Sequence, residues 1–176
     1  KIFILGAGQL GSRHLQALKN IKDSLDIYVI DPSEKSLNIA KERYESIKTT
    51  DNNTLSYKDS INDIDNLAII DIVMIATSSN VRSQVTIDLL NKFSVKTIIF
   101  EKILFDKKDD YFTINKLLKA KNVKAYINCP MRMMSFYKDI KRYFQRSRFK
   151  YIVSGSQYGL VTNLIHYLDH ISYLNE

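Results

Sequence analysis

Short apolar runs alternate with amphipathic stretches through residues 1–127. The runs at 2–5, 27–30, 72–76, 97–100 and 123–127 are brief and rich in β-branched and aromatic residues, which predicts strands. Run 72–76 is apolar at every position and reads as a buried parallel strand. Between the runs, three- and four-residue spacing predicts helices over 9–20, 32–46, 81–91 and 109–121. Leu15, Leu18 and Ile21 share one side of the first helix. Pro32 is expected in the first turn of the second, where its missing N–H costs nothing. Residues 49–66 are polar and irregular, with one helical turn expected near 59–64. This alternation predicts an α/β doubly wound parallel sheet with helices on both faces. After Asn128 the rhythm changes to a helix over 133–146, a strand over 149–154 and a helix over 160–174. Three elements are too few for a core of their own. They read as the beginning of a truncated α+β substrate or oligomerisation domain, with strand 149–154 left open to pair with another copy.

The turn after the first predicted strand reads Gly6, Ala7, Gly8, Gln9, Leu10, Gly11, a G-x-G-x-x-G run between strand and helix. In that context Gly6 permits the tight turn, Gly8 lets the backbone approach a pyrophosphate, and Gly11 lets helix and strand pack closely. The helix N-terminus directs unpaired N–H groups and a positive dipole end at the phosphates. Asp31 closes the second apolar run, where a carboxylate accepts hydrogen bonds from the adenosine ribose hydroxyls and repels a 2′-phosphate. The reading is a dinucleotide site for NAD rather than NADP over 1–127, followed by the partial domain over 128–176.

Composition narrows the class without changing it. The chain has 176 residues, 45% hydrophobic and 26% charged, ordinary values for a globular protein. No apolar run is long enough to cross a bilayer, and the opening one ends at Gly6, unlike a signal peptide. The numbering starts at Lys1 rather than Met, so upstream residues are expected. Cys129 is the single cysteine, which excludes an internal disulfide, fits a reducing cytoplasm and reads as a small core residue. The net charge of +7 is concentrated in 138–150. There Phe136, Ile140, Tyr143 and Phe144 recur at helical spacing, so the basic side chains read as a wet helix face rather than a nucleic-acid site. Such a surface also attracts an anionic substrate.

Four motifs in order resemble the Gfo/Idh/MocA family, the glucose–fructose oxidoreductase and inositol dehydrogenase group. They are the glycine run continuing through Ser12, Arg13, His14 and Leu15; Ala76, Thr77, Ser78, Ser79; Phe100, Glu101, Lys102, Ile103; and 159–169 with His166 inside it. The resemblance implies a Rossmann domain followed by a substrate domain. It places Gly6, Ala7, Gly8, Gln9, Leu10, Gly11, Asp31, Thr77, Ser78, Glu101 and Lys102 about the cofactor. Lys102 would hold the reacting hydroxyl, and His166 would take or give its proton while hydride moves to or from nicotinamide. Asn128, Arg132, Thr162, Asn163 and His166 would face the substrate.

Several positions depart from the family pattern. Ile103 stands where the family has proline, so a trans bond is expected there, because a cis bond before a non-proline costs about 2.5–4 kcal/mol. Thr162 stands where many members carry an Asp, one turn before the histidine, and threonine is no base at neutral pH. Arg82 stands where a His is common and would reach a phosphate or lie on the surface. His166, Asp169 and His170 share a helix face but lack a further ligand for zinc, so no metal is expected; Asp169 reads as a structural hydrogen-bonder and His170 as a surface neighbour. Met131, Met133, Met134 and Phe136 read as packing.

The resulting expectation is a cytoplasmic NAD(H)-dependent oxidoreductase acting on a sugar or nucleotide sugar, such as one used in surface-polysaccharide synthesis. It would form a homo-oligomer and bind neither nucleic acid nor membrane. The alternatives are an NAD-binding module that senses without turnover, and an inactive fragment of a longer oxidoreductase.

Overall fold

The computed structural model describes residues 1–65, 69–144, 148–157 and 159–176. Packing divides the chain into two units, Lys1–Ile127 and Asn128–Glu176.

The first unit is a six-stranded sheet, parallel throughout, in the order β3-β2-β1-β4-β5-β6. The strands are β1 (Ile2–Leu5), β2 (Asp26–Ile30), β3 (Thr54–Lys58), β4 (Ile70–Ile75), β5 (Val95–Phe100) and β6 (Lys124–Ile127). Four helices connect them: α1 (Gln9–Leu18), α2 (Glu34–Glu45), α3 (Ser79–Lys92) and α4 (Lys108–Ala120). β1 is central and buried on both faces, which is why its four residues are all apolar. Its side chains alternate between two cores. Phe3 and Leu5 join Val73, Ile75, Leu89, Ile98 and Phe100, while Ile2 and Ile4 join Leu15, Leu18, Val29, Leu37 and Tyr44. Chain order reverses between β1 and β4, so the loops after these strands diverge and leave a crevice at their carboxyl ends.

Three sequence expectations change here. The stretch expected to be irregular contains β3, paired in parallel with β2 from Asp26↔Thr54 to Ile30↔Lys58. Leu55 and Tyr57 turn to the second core, while Thr54, Ser56 and Lys58, which alternate with them on this edge strand, are polar. Residue 66 of that stretch lies outside the described residues. Pro32 precedes α2 rather than opening it, because Ser33 is the N-cap and its hydroxyl accepts from Ser36 N–H at 3.3 Å. Ile21 is exposed beyond the end of α1.

Among its described residues the second unit holds a 3-10 turn at Pro130–Met133 and two helices, α5 (Ser135–Phe144) and α6 (Leu160–Asn175). The last residues of the predicted helix 133–146, and residues 145–147 of the basic run, lie outside the described residues. The strand expected over 149–154 does not form. A strand needs a ladder partner, and Phe149 and Tyr151 instead stack on Phe144 and His170. Met133, Met134, Phe136 and Tyr143 are exposed rather than packed, since two helices cannot enclose each other's apolar faces. Cys129 is half-buried rather than a core residue.

His170, expected at the surface, is buried instead. Tyr137 lies edge-on at 4.5 Å between ring centroids, and the Tyr151 hydroxyl is 2.9 Å from Nδ1. Burial holds its imidazole below the ordinary 6.5, with Asp169 opposing. The unfolded chain therefore binds the proton first, and stability falls as pH drops through about 6.5. A His170→Gln variant is expected to lose less melting temperature than the parent between about pH 7 and about pH 5. Equal losses would show that another group sets the acid sensitivity.

Candidate active site

The β1–α1 turn is fixed from both neighbouring strands. Gly6 N–H donates to the Ile30 carbonyl at 2.8 Å, and Ala76 N–H donates to the Leu5 carbonyl at 2.8 Å. Gly6 has φ +94°, and a Cβ there would stand 2.8 Å from the Thr77 nitrogen. A Cβ on Gly11 would meet the Gly6 carbonyl oxygen at 1.7 Å, so the close helix–strand approach requires glycine. Gly8 differs from both: nothing lies within 4 Å of a Cβ there. It is the N-cap of α1 and has no side chain to bond the first-turn N–H groups. Gln9 and Leu10 are exposed in that first turn. Ser12, by contrast, is buried and donates to the Gly8 carbonyl at 2.7 Å.

A cleft of about 900 Å³ opens over this turn. Gly6, Gly8, Asp31, Thr77 and Ser78 all line it, so these sequence-predicted residues come together. The Asp31 carboxylate accepts from Ala7 N–H at 2.7 Å and from Ser33 N–H at 2.8 Å, which ties the acid to the glycine turn. Ser78 caps α3 without a side-chain hydrogen bond, and the buried Thr77 Oγ1 has no partner among the described residues. Open space over Gly8, an uncapped helix end and an orphaned hydroxyl fit an anionic ligand with hydroxyl groups, as a dinucleotide is. The far wall was not legible in the sequence. It comes from the 3-10 turn Ile61–Asp63 after β3 and from Val81, Val85 and Lys92 on α3. Lys92 donates to the Ile61 carbonyl at 2.9 Å and pins that turn.

Glu101 and Lys102 follow β5 and do not line this cleft. Glu101 is buried, with Oε1 2.7 Å from His14 Nε2 on α1; Lys102 beside it is half-buried. His14 lay within the glycine motif, but residue spacing gave no sign of this long-range contact. The Lys102–Ile103 bond is cis, not trans. The intrinsic preference of a bond before isoleucine is trans, but the contacts around this one join segments distant in sequence. Arg82 makes those contacts: neither phosphate-facing nor on the surface, it is buried against main-chain carbonyls. Burial draws its guanidinium below the ordinary range, with the Glu101 and Asp106 charges opposing.

In the second unit, Gly159 (φ +60°) precedes α6, and its carbonyl accepts from Thr162 Oγ1 at 3.0 Å and Asn163 N–H at 2.9 Å. His166 and Asn163 are half-buried on that helix. Arg132 is engaged by Asp169, with Nε 3.0 Å and Nη2 2.6 Å from its two carboxylate oxygens, and this pairing raises its pKa. Asp169 is thus a structural partner, as expected. Asn128 opens this unit. Among the described residues no helix is long and apolar enough to cross a membrane.

A family model described as an oxidoreductase family with NAD-binding Rossmann fold matches residues 1–129. Among solved structures, an oxidoreductase from Agrobacterium radiobacter in complex with NAD+, L-tartaric acid and magnesium matches with TM-score 0.72 and 16% identity. That match covers 98% of this chain and 54% of the other. The WlbA dehydrogenase from Chromobacterium violaceum, in complex with NADH and UDP-GlcNAcA, gives 0.63 at 19% identity over 81% and 39%. A putative myo-inositol dehydrogenase from Sinorhizobium meliloti gives 0.64 at 18% over 80% and 39%. The chain thus spans about two fifths to one half of these structures' lengths. No curated protein matches the chain.

Proposed function

The chain belongs to the Gfo/Idh/MocA family of oxidoreductases, with the NAD-binding Rossmann fold over residues 1–129, and from that premise we propose that it takes part in hydride transfer between NAD(H) and a hydroxyl or keto carbon of a sugar or nucleotide sugar. The observation that carries this reading is the cleft at the β1–β4 switch point, where the bare Gly8 backbone and the Asp31 carboxylate share one wall.

When bound, nicotinamide supplies the carbon that gives or accepts hydride. The chain's own residues bind, orient and move the proton. Gly8 and the first turn of α1, with Gln9 and Leu10, receive the pyrophosphate, and Thr77 and Ser78 donate hydroxyls from the facing loop. Asp31 accepts from the ribose hydroxyls. Lys102 hydrogen-bonds the reacting hydroxyl and stabilises its developing charge, His166 exchanges the proton, and Asn128, Arg132, Thr162 and Asn163 orient the sugar. Residues 128–176 are then part of a substrate domain. A cytoplasmic setting, a homo-oligomer and a role in surface-polysaccharide synthesis complete the reading. The sugar-nucleotide ligand of the C. violaceum structure supports the substrate class.

The test is to mix the full chain with NAD and a panel of sugars and UDP-sugars and to follow the absorbance of reduced nicotinamide. A substrate-dependent rise supports the proposal. A second reading, an NAD-binding module without turnover, is favoured by Thr162, whose hydroxyl donates to the Gly159 carbonyl and cannot serve as a base. Binding without any absorbance change across the panel would select it. Asp31→Ala is expected to weaken NAD binding by about 1.5–3 kcal/mol, the value of hydrogen bonds to a charged group, and to raise affinity for NADP relative to NAD. Paired titrations check this; an unchanged ratio would remove Asp31 from the ribose site.

A further inference from the structure

Arg82 has no part in the function proposed above, yet its surroundings are unusual for a cation. The side chain is 3% exposed, and its guanidinium faces four main-chain carbonyls. The two N–H groups of Nη1 are shared among the carbonyls of Glu101 at 2.6 Å, Leu104 at 3.0 Å and Ile103, while Nη2 donates to Thr77. Two of these acceptors flank Lys102, one on each side. The Thr77 carbonyl belongs to the loop that lines the cleft. One side chain therefore joins the loop after β5 to the loop after β4.

We propose that Arg82 is a positioning residue for Lys102, fixing the main chain on both sides of the lysine and so setting where its ammonium group stands. A lysine is a point charge on a flexible four-carbon stem, so its reach is defined only when its Cα is held. Loops are otherwise the mobile part of such folds. A proline at 103 would restrain this loop from within by locking φ, but the residue is Ile103 and leaves φ free. The restraint comes from outside the loop instead. A planar guanidinium suits the task, because its five donors lie in a fixed fork and can satisfy several carbonyls at once. An ammonium at the same place has three donors on a single nitrogen and cannot span both loops. Glu101 is also anchored through its side chain by His14, so the residue before Lys102 is held at both its carboxylate and its carbonyl.

The inference rests on the catalytic reading of Lys102, so its test carries one readout that needs turnover and one that does not. Arg82→Lys and Arg82→Met are compared with the parent chain, each alone and combined with Ile103→Pro. Melting temperature and NADH titration report on the fold. In both single variants kcat is expected to fall roughly 10- to 100-fold, the scale of a misplacement of about 1 Å. The KM for NADH is expected to move less than about threefold, because Arg82 meets Thr77 only at its main-chain carbonyl and touches neither Gly8 nor the first turn of α1. Ile103→Pro in the Arg82→Lys background is expected to recover part of the lost kcat. Independently, acylation of Lys102 by N-hydroxysuccinimidyl acetate, read by peptide mass spectrometry against the exposed Lys35 of α2, is expected to rise at least about threefold as the loop opens locally.

If the parent chain turns over no substrate, the catalytic reading of Lys102 fails and the acylation ratio still decides whether Arg82 holds the loop. A folded Arg82 variant with parental kcat and an unchanged acylation ratio would overturn the proposal. So would parallel loss of melting temperature, NADH affinity and turnover in both variants without rescue by proline, which would make Arg82 a residue of general stability.

Discussion

Replacing Lys102 with Ala is expected to lower turnover about 10²- to 10⁴-fold, the usual range for a group that handles a proton in the transition state. NADH affinity is expected to stay close to that of the parent. The two effects separate because Lys102 lies outside the residues that line the cleft, whereas Gly6, Gly8, Asp31, Thr77 and Ser78 form its wall. A fall in kcat with unchanged NADH binding identifies an interaction made only in the transition state. Parental turnover in the variant would end the catalytic assignment of Lys102, and loss of NADH affinity would move the residue into the binding wall.

The second large effect is a contrast between two glycines of one motif. Gly11→Ala drives a methyl group into the Gly6 carbonyl oxygen, 1.7 Å from the ideal Cβ position, and both parties are main chain. No side chain can yield, so α1 or the turn must move. The cost is expected to exceed the usual overpacking range and reach at least about 3 kcal/mol, lowering the melting temperature by roughly 6–12 °C in a domain of this size. Gly8→Ala places its methyl group in open space, at a backbone φ of −64° that is not the left-handed region reserved for glycine. Its melting temperature is expected to stay within a few degrees of the parent, while NADH affinity falls at least about tenfold, or 1.4 kcal/mol, because the pyrophosphate must approach the bare backbone. Thermal melts and NADH titrations on the two variants check both halves. Equal NADH affinity in Gly8→Ala and the parent would take Gly8 out of the phosphate site.

What the sequence disclosed was whatever rests on local chemistry. Gly6 and Gly11 each answer a short-range steric demand, and Asp31 sits at a strand end, so their positions follow from spacing. Strand β1, and β4 from Ile72 onward, were legible because burial on both faces makes these stretches continuously apolar. β3 was not, because an edge strand has one side half in water, and Leu55 and Tyr57 alternate with polar residues over too few positions to stand out. The strand expected over 149–154 failed for the complementary reason: strand propensity without a partner forms no ladder. Long-range contacts left no trace in spacing at all. Arg82 with the loop after β5, His14 with Glu101, and Asp169 with Arg132 join elements that only the fold brings together.

The most direct measurement is an equilibrium titration of the full chain with NADH, followed by nicotinamide fluorescence and repeated on Gly8→Ala. Saturable binding by the parent, weakened in the variant while its melting temperature holds, is the result expected if the pyrophosphate rests on the β1–α1 turn. No saturable binding of any adenine dinucleotide, or binding that Gly8→Ala leaves untouched, would contradict it.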